Sequence, residues 1–168
     1  MFLQDVEVPV ENLIGGAEGR GFGQLMDVFT RERLSIAVRS VAAAETAVKL
    51  MVEHCKDRKM FGKSLWDFQN TRMVLAKFAT EARIMRVYLD NILMGMARGQ
   101  DLDANDAVMA KWWCNQKQCE IVDECVQLFG GYGYMAEYPI AQLYKDARVK
   151  KIYGGSNEVL KELVARAL

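Results

Sequence analysis

Glu32 is the first side chain whose type and position could do chemistry. It follows Phe29 by three residues and precedes Ile36 by four, a spacing that puts all three on one helical face. A carboxylate on an apolar stripe either pairs with a cation or has its pKa raised, which turns it into a proton acceptor. Arg31 and Arg33 flank it in sequence but project about 100° to either side. The spacing leaves both fates open.

Three other clusters carry chemical potential. Arg58 and Lys59 stand beside Phe61 and Gly62 at the mouth of an interhelical turn. That reads as a solvated surface or as a seat for an anionic pyrophosphate. Gly130-Gly131-Tyr132-Gly133-Tyr134 offers a tight helix-to-helix turn or a close backbone approach to a ligand. Gly19-Arg20-Gly21-Phe22-Gly23 has phosphate-loop glycines but no strand–turn–helix unit around it, so it is a weak dinucleotide signal. His54 reads as a structural or surface group near the end of the first helix, where a cation is modestly favoured. Trp112, Trp113, Tyr132 and Tyr134 are explained by packing.

No metal site is expected. Cys114, Cys119 and Cys125 do not converge at their spacing on one helix, and the chain has 1 histidine. With Cys55 they read as buried reduced thiols, which points to a reducing compartment. The 22 basic and 22 acidic side chains cancel, which argues against a nucleic-acid grip. An apolar content of 51% excludes disorder, and 168 residues suit one domain. The 10 methionines favour adaptable apolar surfaces, subunit contacts among them. No apolar run nears the ~20 residues of a membrane span. Met1 to Val6 has neither the basic nor the long apolar stretch of a signal peptide.

These groups need helices to position them. Between Pro9 and Pro139 there is no proline, and three long helical patterns fill the space. The first runs from about Gly23 to Asp57, with Leu25, Phe29, Glu32, Ile36, Ala43, Ala47 and Leu50 near one face. The second runs from about Trp66 to Arg98 and aligns Leu75, Phe78, Ala82, Met85, Leu89, Ile92 and Met96. The third runs from near Ala104 to near Phe129 and aligns Val108, Trp112, Asn115, Cys119, Val122, Val126 and Phe129. Such stripes pack helices into a left-handed bundle. Gly62 turns the chain between the first two helices, and Asp101 or Asp103 caps the third. A short helix from about Ile140 to Ala147 follows, and Ser156 or Asn157 caps a last one. Phe2, Val6 and Val8 alternate with Asp5 and Glu7, a strand pattern without a partner. The expected fold is therefore all-α: an antiparallel, up-and-down, four-helix-bundle-like domain with short extra helices and a residual N-terminal β-strand. Residues 1–14 read as the remnant of another domain, 15–24 as a Gly-rich link and 25–168 as the bundle.

Four ordered stretches carry a family resemblance. They are Phe2-Leu3-Gln4-Asp5-Val6-Glu7-Val8-Pro9; Arg58-Lys59-Met60-Phe61-Gly62 with Gln69 beyond it; Gln127 to Tyr134; and Asp146-Ala147-Arg148 followed by Ile152-Tyr153-Gly154-Gly155-Ser156-Asn157-Glu158. Together they resemble the C-terminal part of FAD-dependent acyl-CoA dehydrogenases, over essentially the whole chain. The first stretch resembles the last strand of that family's middle β domain. The resemblance implies oxidation of the Cα–Cβ bond of an acyl-CoA thioester. A glutamate takes the α proton, and the β hydrogen leaves as hydride to FAD. Many members carry that glutamate between the tyrosine and glycine of the last stretch, where this chain has Gly154. The long-chain and isovaleryl enzymes carry it on the first bundle helix, in a context matched by Glu32-Arg33-Leu34. The resemblance thus implies Glu32 as the base and Arg33 as its supporting residue. It implies cofactor contacts from Arg58, Phe61, Gln69, Gln127, Gly131, Ser156 and Glu158, with a flavin shared across subunits. Some relatives have glutamine at the Glu158 position.

The implied partners are acyl-CoA, the electron-transferring flavoprotein and further copies of the chain in a dimer or tetramer. The implied location is cytoplasmic, or the mitochondrial matrix in a eukaryote. The chain alone is expected to be incomplete and poorly active, since the family's other domains supply much of the acyl-CoA pocket. The alternative reading is an isolated helical domain that keeps interface or flavin contacts without turnover.

Overall fold

The computed structural model describes all residues from Met1 to Leu168. Three long helices dominate: α1 (Gly21–Asp57), α2 (Gln69–Ala97) and α3 (Ala104–Phe129). Two shorter ones follow, α4 (Pro139–Lys150) and α5 (Asn157–Arg166). α3 is the central element and packs against the other four helices. The all-α expectation holds, and no helix is long and apolar enough to cross a membrane.

The ends of these helices follow from local chemistry. The Asp103 carboxylate accepts the Asn105 and Asp106 N–H groups at 2.6 and 3.2 Å and caps α3. Pro139 opens α4, where its missing N–H costs nothing. Ser156 caps α5 by accepting the Val159 N–H at 3.4 Å. Between α1 and α2 the chain forms a two-residue hairpin, β1 (Lys59–Met60) paired with β2 (Lys63–Ser64). Its loop residues Phe61 and Gly62 both have positive φ, 51° and 78°, the condition of a turn whose twist matches the strands it joins.

α2 buries Leu75, Phe78, Ala82, Met85, Leu89 and Ile92, the face its sequence spacing predicts. α3 buries Val108, Asn115, Val122 and Phe129 of its predicted stripe, while Trp112, Cys119 and Val126 are half-buried. α1 follows the prediction only in part. It buries Ile36 and Ala47 of the expected stripe, together with Leu34, Ala37, Val41, Ala44, Met51 and Cys55, and no buried residue lies before Leu34. The opening turns of α1 overhang the bundle, so Leu25 and Glu32 are exposed and Phe29 is only half-buried. Beyond residue 33 the helix meets α3, and burial of each large side chain there contributes about 1.5–3 kcal/mol.

The strand expected at Phe2 to Val8 does not form. Those residues are exposed and have no neighbouring strand to pair with, and strand hydrogen bonds cannot form without one. The hairpin is the chain's sheet structure. α1 also begins at Gly21, inside the glycine-rich stretch expected to be a link.

Polar contacts tie the helices together. The Ser40 hydroxyl on α1 donates to Asn115 Oδ1 on α3 at 2.6 Å, and Asn115 Nδ2 donates to the Lys150 carbonyl of α4 at 2.8 Å. Lys150 Nζ returns to Gln118 Oε1 at 3.1 Å. Arg86 on α2 grips the Glu45 carboxylate on α1 with two hydrogen bonds of 2.9 and 2.6 Å. All four cysteines are free; Cys55, Cys114 and Cys125 are buried and Cys119 is partly so.

Candidate functional site

The candidate residues fall at two places. Arg58 caps the C-terminal end of α1, its N–H donating to the His54 carbonyl at 2.8 Å. The hairpin then folds back toward the junction of α3 with the glycine-rich turn. Between them lies a groove of about 600 Å³ lined by Arg58, Met60, Leu65, Gln127, Gly131 and Tyr132 among others. Three of the expected cofactor contacts, Arg58, Gln127 and Gly131, therefore share one groove. The Arg58 guanidinium lies over the Tyr132 ring, 5.6 Å from its centre. Tyr132 in turn stacks on Tyr138 with centroids 5.2 Å apart.

Phe61 does not line the groove. It sits at the hairpin tip, 88% exposed, next to Met60, which does. Gln69 is exposed as the first residue of α2 and is likewise absent from the lining. Beneath the groove His54 stacks on Phe129, with centroids 3.9 Å apart and an angle of 14°. Burial holds the imidazole pKa below its ordinary value, and Arg58 adds to this against the opposing pull of Asp57.

The second place is the turn between α4 and α5. Gly154 and Gly155 take positive φ of 67° and 92°. The Arg33 Nε–H of α1 donates to the Gly154 carbonyl at 3.4 Å, and its guanidinium lies 5.5 Å from the centre of the Phe29 ring. Glu32 is on the same turn of α1, exposed and without an ion pair. Its expected place on a buried stripe is thus corrected: the helix overhangs there, and no other element of the chain packs over it. Ser156 is half-buried, and its hydroxyl serves as the cap of α5. Glu158 is exposed in the first turn of α5, its carboxyl held below the usual range by its own backbone N–H and by Ser156.

Sequence reasoning missed two contributors. Tyr132 was assigned to packing, although its neighbouring glycines signalled an open turn. Lys111 was passed over, although it falls three residues after Val108 and four before Asn115, on a buried face.

The bundle thus carries a groove with a guanidinium and aromatic rings at one end and an exposed carboxylate at the other. The family model for the acyl-CoA dehydrogenase C-terminal domain matches residues 19–168. The long-chain specific acyl-CoA dehydrogenase of mouse mitochondria is 42% identical over 168 residues, which is 100% of this chain and 39% of that protein. The short-chain specific enzyme of Megasphaera elsdenii is 36% identical over 159 residues, 95% of this chain and 41% of that protein. The crystal structure of an acyl-CoA dehydrogenase from Geobacillus kaustophilus superposes with a TM-score of 0.93 at 40% identity, covering 99% of this chain and 43% of that one. The chain belongs to the acyl-CoA dehydrogenase family and forms its C-terminal helical domain. It spans about two fifths of the length of the relatives it matches.

Proposed function

We propose that this chain contributes two separate half-sites to an FAD-dependent acyl-CoA dehydrogenase. The observation that carries this reading is the distance between them. Glu32 lies on α1 and Arg58 caps its C-terminal end, 26 residues further along. At about 1.5 Å per residue that separates them by about 39 Å. One extended dinucleotide is far shorter, so both ends cannot serve one cofactor within one copy. The Arg58 groove of one copy and the Glu32 end of another would together complete each site, in a dimer or tetramer.

The groove's donor set suits FAD. Arg58 offers a guanidinium to a pyrophosphate. Gly131 leaves open space where a side chain would stand, and Tyr132 offers a ring face. Gln127 borders the same space, and Phe61 at the hairpin tip is free to meet a neighbour's cofactor. Gln69, Ser156 and Glu158 are proposed as further contacts by family resemblance, with Ser156 and Glu158 at the base end of the chain. When bound, FAD would supply the hydride acceptor for the substrate's β hydrogen.

At the other end Glu32 would take the α proton of the acyl-CoA thioester on its carboxylate. Its exposure on the α1 overhang leaves room for substrate. Phe22 and Val28 on the same overhang are apolar and exposed at 74% and 59%, which suits a surface covered by further protein. Once covered, the carboxylate would be shielded from competing water as it takes the proton. Arg33, held to the Gly154 carbonyl, would orient this turn. The glycine at position 154 supports the long-chain type of base placement over the alternative one. The electron-transferring flavoprotein is the proposed redox partner. The mitochondrial matrix is the proposed location in a eukaryote and the cytoplasm otherwise.

In a full-length form, Glu32→Gln should reduce turnover at least about a thousandfold while flavin absorbance is retained. Unchanged turnover would remove Glu32 from the role. The 168-residue chain by itself should hold flavin weakly and turn over poorly.

A further inference from the structure

Lys111, in the N-terminal third of α3, is fully buried, with 0% of its surface exposed. A buried ammonium is costly unless acceptors surround it. Its Nζ donates to the Gly155 carbonyl at 2.6 Å and lies 3.4 Å from Asn157 Oδ1. Asn157 is itself buried, and its Nδ2 donates to the Trp112 carbonyl at 3.3 Å. The acceptors of Lys111 thus come from a turn distant in sequence. Both glycines of that turn have positive φ.

The turn is held from the other side too. Gly154 offers its carbonyl to Arg33, the neighbour of Glu32. The Lys111 Cε lies 3.7 Å from where a side chain on Gly154 would begin. The charged groups that face Lys111 are Arg33 on α1 and Glu158 on α5, and burial brings its pKa down to about 8. At neutral pH it is still mostly the charged donor.

We propose that Lys111 is a positioning residue: it anchors the Gly154–Asn157 turn to α3 and, through the Gly154 carbonyl, sets the placement of the Glu32–Arg33 turn of α1. This rests on the reading of Glu32 as the base for its functional meaning, but the anchoring itself does not. An ordinary core lysine would stabilise the fold evenly. An anchor would alter the turn and the Arg33 contact while leaving distant helices unchanged.

The test uses amide exchange and nitrogen-detected NMR on the 168-residue chain, comparing the native chain with Lys111→Met. Methionine preserves the stem volume and removes the donors. Exchange at the Asn157 N–H, which donates to the Lys151 carbonyl at 3.1 Å, should speed up at least tenfold in the variant, and the Arg33 Nε–H resonance should shift or lose protection. Exchange in the middle of α2 should change by less than threefold. Unchanged exchange at the turn, or equal acceleration throughout, would overturn the proposal. If the variant does not fold, the native chain still decides: the Lys111 ammonium protons should exchange slowly and be observable at pH 6. Exchange as fast as that of a free lysine would overturn the proposal. In a full-length, flavin-loaded form, Lys111→Met should lower kcat at least tenfold with KM within threefold. A loosened turn with unchanged kcat would also overturn the positioning role. A native protein that binds no flavin would sink the proposed function instead, while the exchange result still stands for the anchor.

Discussion

The Cδ1 of Ile36 occupies the space that a side chain at position 154 would need. A Cβ built on Gly154 would lie 2.6 Å from that methyl, and Gly154 has a φ of 67°. Two independent causes therefore keep position 154 a glycine: the left-handed backbone and the buried isoleucine. Gly154→Ala should lower stability by about 1–3 kcal/mol. Ile36→Ala alone should cost about 2–5 kcal/mol through its cavity. In the double variant the clash is gone but the backbone strain remains, so the losses should fall short of their sum by at least about 0.5 kcal/mol. Urea denaturation of the four chains gives this coupling directly, and strict additivity would contradict the interlock.

The chain has 1 histidine, so the pH response of the groove end is unusually easy to isolate. His54 has a folded pKa below its ordinary value of 6.5, chiefly through burial. The unfolded chain therefore takes up a proton that the folded chain resists. Stability from this group is fully present above about 6.5 and declines as pH falls through the folded pKa. Thermal unfolding between pH 7.5 and 5 should show this loss, and His54→Gln should flatten it. An NMR titration midpoint at or above 6.5 would contradict the assignment.

The Ser40–Asn115 hydrogen bond of 2.6 Å joins two helices inside the bundle. Asn115→Ala would strand the Lys150 carbonyl in a buried place, while the Ser40 hydroxyl would keep the Ile36 carbonyl at 2.9 Å as its acceptor. That should cost about 1–3 kcal/mol. Chemical denaturation is the measurement, and a loss below about 0.5 kcal/mol for Asn115→Ala would show that the contact carries little.

The helices were legible because their patterns are long. Leu75 to Met96 and Val108 to Phe129 each repeat a three–four spacing over several turns, and only a helix makes that spacing a face. The expected face of α1 holds at Ile36 and Ala47 and fails at Leu25 and Glu32. The residues from Phe22 to Glu32 have an apolar pattern that no element of the chain covers, so pattern and burial part company there. The hairpin was illegible as strand because two residues per strand carry no periodicity, and its turn was seen only as Gly62. At the candidate sites, Arg58, Gln127 and Gly131 were named separately, but only the fold of the hairpin against the end of α3 brings them to one groove. Lys111 escaped because its acceptors are carbonyl and amide oxygens of a turn about 44 residues away, a relationship no local spacing encodes.

In the proposed assembly Glu32 and Arg58 of one copy serve different flavin sites. Subunit complementation in a full-length form tests it most directly. Glu32→Gln and Arg58→Glu are each made inactive, then mixed, dissociated and reassembled. If each site takes Glu32 from one copy and Arg58 from another, every mixed pair contains one intact site. Random pairing should then restore about a quarter of native activity, because half the pairs are mixed and each has one good site of two. Activity no greater than the average of the two separate variants would contradict the claim, since both residues would then belong to the same site.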